Sequence, residues 1–103
     1  MSRMFGMLLQ RVLLRLPDRP GSLGRVTMLM GRLGVDIHQV RVLARDGAHA
    51  TDEFVVAVPG PVVGGCLVEL LEEVEDVRVL GTWPVEESDD EWWPTPEKKA
   101  APA

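Results

Sequence analysis

At 103 residues the chain has room for one domain, and its 46% hydrophobic content supports a core that is small for the surface around it. The net charge of −5 is uneven: residues 1–85 carry nine Arg against ten acids, whereas residues 86–103 carry six acids and two Lys. A near-neutral body with an acidic end is a poor binder of phosphate backbones, which argues against nucleic acid, and the single cysteine, Cys66, excludes an internal disulfide or a cysteine-built zinc cluster.

Residues 7–16 (MLLQRVLLRL) read as a strand. Leu8, Val12, Leu14 and Leu16 share one parity and form the expected core face. Met7, Leu9 and Leu13 share the other with Arg11 and Arg15, an unusually apolar outer face. Pro17 ends the strand because it cannot donate to a ladder. The turn Asp18-Arg19-Pro20-Gly21-Ser22 then leads into a helix over about 22–33. Leu23, Val26, Met30 and Leu33 give that helix one apolar stripe, and Gly34 sits where a helix-ending glycine of positive φ belongs. A second strand is expected over Ile37–Leu43 with Val40 and Val42 inward. Asp46-Gly47 signals a hairpin. Residues 50–58 form the third strand, with Phe54, Val56 and Val58 on one face. Pro59-Gly60-Pro61 breaks it. A second helix over about 62–74 carries Leu67, Leu70, Leu71 and Val74, and a short fourth strand holds Val77, Val79 and Leu80. Trp83-Pro84 ends the pattern, so the domain is taken as residues 1–84. Residues 85–103 are acidic, Pro-rich and aperiodic and are expected to form a disordered tail.

The order β-α-β-β-α-β is that of an α+β, ferredoxin-like domain: a four-stranded antiparallel sheet with two helices on one face. The other face lacks a helix, and so small a domain gains stability by pairing. A homo-oligomer is therefore expected. The longest apolar runs are only a handful of residues, and the first seven show no cleavable signal, so no membrane partner is expected and the cytoplasm is the expected location.

The turn carries the clearest chemical signal. A helix start presents unpaired N–H donors and partial positive charge, which suits a carboxylate. A plain turn capped by Asp18 or Ser22 accounts for the same residues. His38 and His49 show no metal-ligand spacing. Cys66 reads as a small buried hydrophobe at a helix start rather than a nucleophile. Arg19 and Arg25 could be imagined in a phosphate loop of acylphosphatase type, but the rest of such a loop is missing. Phe54 sits on the core face, where it cannot stack on RNA bases. No cofactor and no catalytic residue is expected. Trp92-Trp93 reads equally as a fold-back contact or as an anchor for a partner groove.

The segment from Leu14 to Val42 resembles the first half of an ACT domain. The matching features are Asp18-Arg19-Pro20-Gly21-Ser22-Leu23, the apolar helix, and the junction Gly34-Val35-Asp36-Ile37. Thr51-Asp52-Glu53-Phe54 is similar to that family's third strand, and the likeness spans about residues 8–81. The resemblance implies a non-catalytic, allosteric module that regulates amino-acid metabolism as a homodimer. It also implies an amino-acid site at Asp18, Arg19, Pro20, Gly21, Ser22 and Leu23, together with Asp36, Ile37 and the adjoining His38. Asp stands at 18 and 36, where some members carry Asn; a carboxylate accepts hydrogen bonds but cannot donate them. The competing reading is an ACT-like interaction module that docks on a metabolic enzyme without a ligand.

Overall fold

The computed structural model describes residues 7–85. Six elements follow one another: β1 (Leu8–Pro17), α1 (Ser22–Arg32), β2 (Asp36–Arg45), β3 (His49–Val58), α2 (Pro61–Glu73) and β4 (Arg78–Pro84). The strands form one sheet in the order β2-β3-β1-β4, every neighbouring pair antiparallel. This is the expected βαββαβ architecture, and the core lies between the sheet and its two helices. Val12, Leu14 and Leu16 of β1 and Phe54, Val56 and Val58 of β3 meet Val26, Met30, Leu67 and Leu71 of the helices. Burying a side chain of this size contributes roughly 1.5–3 kcal/mol.

Several local details differ from the sequence reading. Leu23 is 42% exposed, because the stripe that faces the sheet is Ser22, Val26 and Met30. Val42 shares the helix-facing side with its register partner Asp52, yet lies on the edge strand and is 50% exposed. Cys66 is exposed, since Gly64, Leu67 and Leu71 form the buried stripe of α2. β4 runs on to Pro84: residues 81–84 lack apolar alternation, but they pair with Gln10 to Leu13 beyond a bulge at Leu13/Leu14. A proline is tolerated there because β4 is an edge strand. Val85 is buried as well, and its N–H donates to the carbonyl of Leu9 at 3.1 Å. The expected acidic tail and Trp92-Trp93 lie outside the described residues.

The helix-free face is only partly apolar. Leu9 and Leu13 are half-buried, and Glu53 sits between two arginines from the flanking strands. Arg41 Nε donates to Glu53 Oε1 at 3.0 Å, and Arg11 Nε lies 3.4 Å from Oε2. Val55, between Arg11 and Gln39 in the register, is buried although, among the described residues, no helix covers it.

Candidate functional site

The turn after β1 is held at both ends. The Asp18 N–H donates to Ala48 O at 3.0 Å, tying the turn to the β2–β3 hairpin. The Arg25 N–H donates to Gly21 O at 3.0 Å, closing the first turn of α1. Gly21 is the N-cap, with φ of 91°, a conformation that costs glycine little and other residues more. A Cβ added there meets nothing within 4 Å. Gly34 has the expected positive φ, 75°, at the other end of the helix.

Neither expected cap is in use. No side chain caps α1, and its first turn holds no acid. Asp18 is turned toward Arg45, with Oδ2 3.8 Å from Nε. Ser22 is the first residue of the helix, 5% exposed, and its Oγ has no hydrogen-bond partner. The Ser22 N–H donates to Arg19 O at 3.3 Å, so the start of α1 leaves the N–H groups of Leu23 and Gly24, with their partial positive charge, uncapped. Beside it lies a hollow of 240 Å³ lined by Arg19, Pro20, Gly21, Ser22 and Arg25. Both guanidinium groups add to the positive potential of the helix start.

The second group of expected residues lies elsewhere. Asp36 opens β2 and pairs with Ala57, whereas Pro17, just before the turn, pairs with His49. Eight residues of β3 separate those levels, about 26 Å at roughly 3.3 Å per residue. Within one subunit the structure thus brings Asp18 through Leu23 together and keeps Asp36, Ile37 and His38 apart from them. Ile37 packs against the core, and His38 occupies a bulge in β2, its Nε2 3.4 Å from Asp36 Oδ2.

One further residue of this region, placed by the sequence on the third strand, was given no part in the site. Asp52 is 3% exposed and its Oδ1 has no partner. Burial pushes its carboxyl up from the usual range; nearby Arg45 opposes this and Asp18 adds to it. Its parity with Phe54, Val56 and Val58 was the signal that could have found it. Among the described residues no group of His, Cys, Asp and Glu converges as metal ligands do, and no helix is long and apolar enough to cross a membrane.

A comparison with protein families matches the ACT domain model over residues 11–76, more than half of the 103 residues. The chain belongs to the ACT domain family. ACT domains are regulatory modules that bind small ligands and are not themselves catalytic. The domain is similar to the crystal structure of the ACT domain from GTP pyrophosphokinase of Chlorobium tepidum, with a TM-score of 0.59 and 16% identity over 77% of this chain and 99% of that one. The solution NMR structure of the same domain gives 0.57 and 16% over 79% and 89%. At such identity the likeness shows the shared fold. No curated protein matches the sequence.

Proposed function

We propose that this ACT domain is a cytoplasmic sensor of a small carboxylate-bearing metabolite, an amino acid, and that it regulates a metabolic enzyme without catalysing a reaction itself. The observation that carries the reading is the uncapped start of α1. The N–H groups of Leu23 and Gly24 have no cap there, and beside that helix start lies a hollow that Arg19 and Arg25 line, at the family's characteristic turn. A ligand carboxylate there accepts from backbone N–H groups and is drawn by both guanidinium groups. Asp36, at the far end of α1, is mostly exposed and supplies an acceptor for a ligand ammonium.

Because the turn and the Asp36–His38 junction lie at opposite ends of α1, the site closes only when the turn of one subunit meets the junction of another. Ligand binding and dimerisation are then thermodynamically linked. The test is a thermal-shift screen of the common amino acids at millimolar levels, since a ligand at 100 times its dissociation constant stabilises the native state by about 2.7 kcal/mol. Arg19→Ala should reduce the ligand-induced shift and leave the ligand-free melting temperature unchanged. Gly21→Val should abolish the shift, while also lowering the ligand-free melting temperature because valine tolerates φ of 91° poorly. If no amino acid stabilises the unmutated protein, the ligand-free docking module takes over as the function.

A further inference from the structure

The helix layer carries its charges in two separate halves. From Arg19 to Leu33 the chain holds Arg19, Arg25 and Arg32 and no acid. From Pro61 to Asp76 it holds Glu69, Glu72, Glu73, Glu75 and Asp76 and no base. Arg25, Arg32, Glu69, Glu72 and Glu73 all face solvent. Among the described residues no ion pair joins α1 to α2. Arg32 Nη2 rests on Met28 Sδ at 3.6 Å, and Glu72 accepts from the Val79 N–H at 2.7 Å.

Between the helices runs a cleft of 370 Å³. Leu29, Leu70 and Val74 are its apolar lining, Arg25 and Arg32 its bank on α1, and Glu73 its bank on α2. Met28 stands on the α1 bank and is 59% exposed.

We infer that this face docks a second copy of the chain, helix layer on helix layer, with α1 of each subunit on α2 of the other. The charge pattern selects the geometry. A face-to-face dimer places its two-fold axis in the plane of contact. An axis running across the helices stacks α1 on α1 and α2 on α2, setting arginine against arginine and glutamate against glutamate. An axis running along the helices stacks α1 on the partner's α2, and opposite charges meet twice. That axis also preserves level along the helix. Arg25 and Glu73 border the same cleft, so Arg25 of one subunit comes opposite the C-terminal half of the other's α2, where Glu69 and Glu73 lie. Met28 of each subunit enters the cleft of its partner.

Two helices of 11 and 13 residues, lying side by side, offer a footprint of about 350 Å² per subunit, well below the roughly 800 Å² of a standard interface. The contact is therefore weak and sensitive to salt. It is distinct from the contact that closes the ligand site. Bringing a turn to a junction reverses the helix direction and needs a two-fold perpendicular to the helices. Perpendicular two-folds are those of a closed tetramer.

The test is sedimentation equilibrium of the full chain without ligand, over a concentration series at low and high salt. The outcome then stands whether or not the turn binds an amino acid. One variant carries Arg25→Glu with Arg32→Glu, a second carries Glu69→Arg with Glu73→Arg, and circular dichroism checks that both fold. Each alone should lose one association step relative to the unmutated protein. An equimolar mixture should regain it, because each reversed helix then faces an opposite charge. All four substitutions in one chain should regain it too, which also keeps the proposal testable if one double variant fails to fold. The inference is overturned if the double variants associate as the unmutated protein does, if neither the mixture nor the fourfold variant restores the lost step, or if high salt leaves the association unchanged.

Discussion

Replacing Asp52 by valine should stabilise the domain at neutral pH. The Asp52 carboxylate is 3% exposed, faces the helices from β3, and lies between Leu14 on β1 and Val42 on β2 in the register. Its Oδ1 has no hydrogen-bond partner. A buried polar group left unsatisfied costs about 1–3 kcal/mol, more if charged. Valine suits a strand and matches the apolar neighbours on that face. The expected gain at pH 7 is about 1–2 kcal/mol, or roughly 4–16 °C in melting temperature for a domain of this size.

The pH dependence separates this cause from ordinary packing. Burial raises the carboxyl's pKa in the folded state above its ordinary value of 3.8. The native state therefore holds the proton more tightly than the unfolded chain does. Below 3.8 the acid is neutral in both states and costs little as a charge. As pH rises through the folded-state pKa, the native state must bury a carboxylate and loses stability. The advantage of Asp52→Val should accordingly be larger at pH 7–8 than at pH 4, read from urea melts at both ends of that range. An advantage that does not change with pH would refute burial of charge as the cause. A loss of stability at pH 7 would refute the reasoning altogether, since it would mean that the carboxylate makes a favourable polar contact.

Asp46 behaves in the opposite sense. Its Oδ1 accepts from the N–H groups of Ala48 and His49 at 3.0 and 2.7 Å, and these bonds hold its carboxyl below 3.8. Asp46→Ala should destabilise the hairpin at neutral pH, and its difference from the unmutated protein should shrink as pH falls through that depressed value, as followed by melting temperature across a pH series. Phe54→Ala empties the centre of the core and should cost about 3–5 kcal/mol in urea denaturation, enough to unfold much of so small a domain. Glu53→Gln removes the charge that Arg11 and Arg41 share; a loss of about 1 kcal/mol is expected because the arginines are partly exposed, and the loss should shrink in high salt.

How much of this was legible in the sequence depended on which force set each feature. The parity of β1, the face of β3 holding Phe54, the stop at Gly34 and the Asp46-Gly47 hairpin are local signals, and the structure has each of them. β4 was read too short because residues 81–84 owe their extended form to pairing with β1 rather than to their own alternation. Val42 was read as inward from its parity alone, which does not show that an edge strand lies under less cover. The turn was legible as a unit, but its caps were not: Gly21 occupies the N-cap and leaves Ser22 to face inward, a matter of one residue's register. Asp52 was visible as a polar residue on a core parity. Its lack of a partner depends on how three strands come together around it, which no linear pattern records.

The most direct test of the central claim is an amide NMR titration of the full chain with the amino acid that best stabilises it, or with each of the common amino acids at millimolar concentration. An amino acid held at the start of α1 and closed in by a second subunit should shift the amides of Gly21 through Arg25 and those of Asp36 through His38 along one saturating curve. Those two segments lie at opposite ends of a single subunit, so a shared curve reports the assembled site. Shifts confined to other surfaces, or none at millimolar concentration, would contradict it.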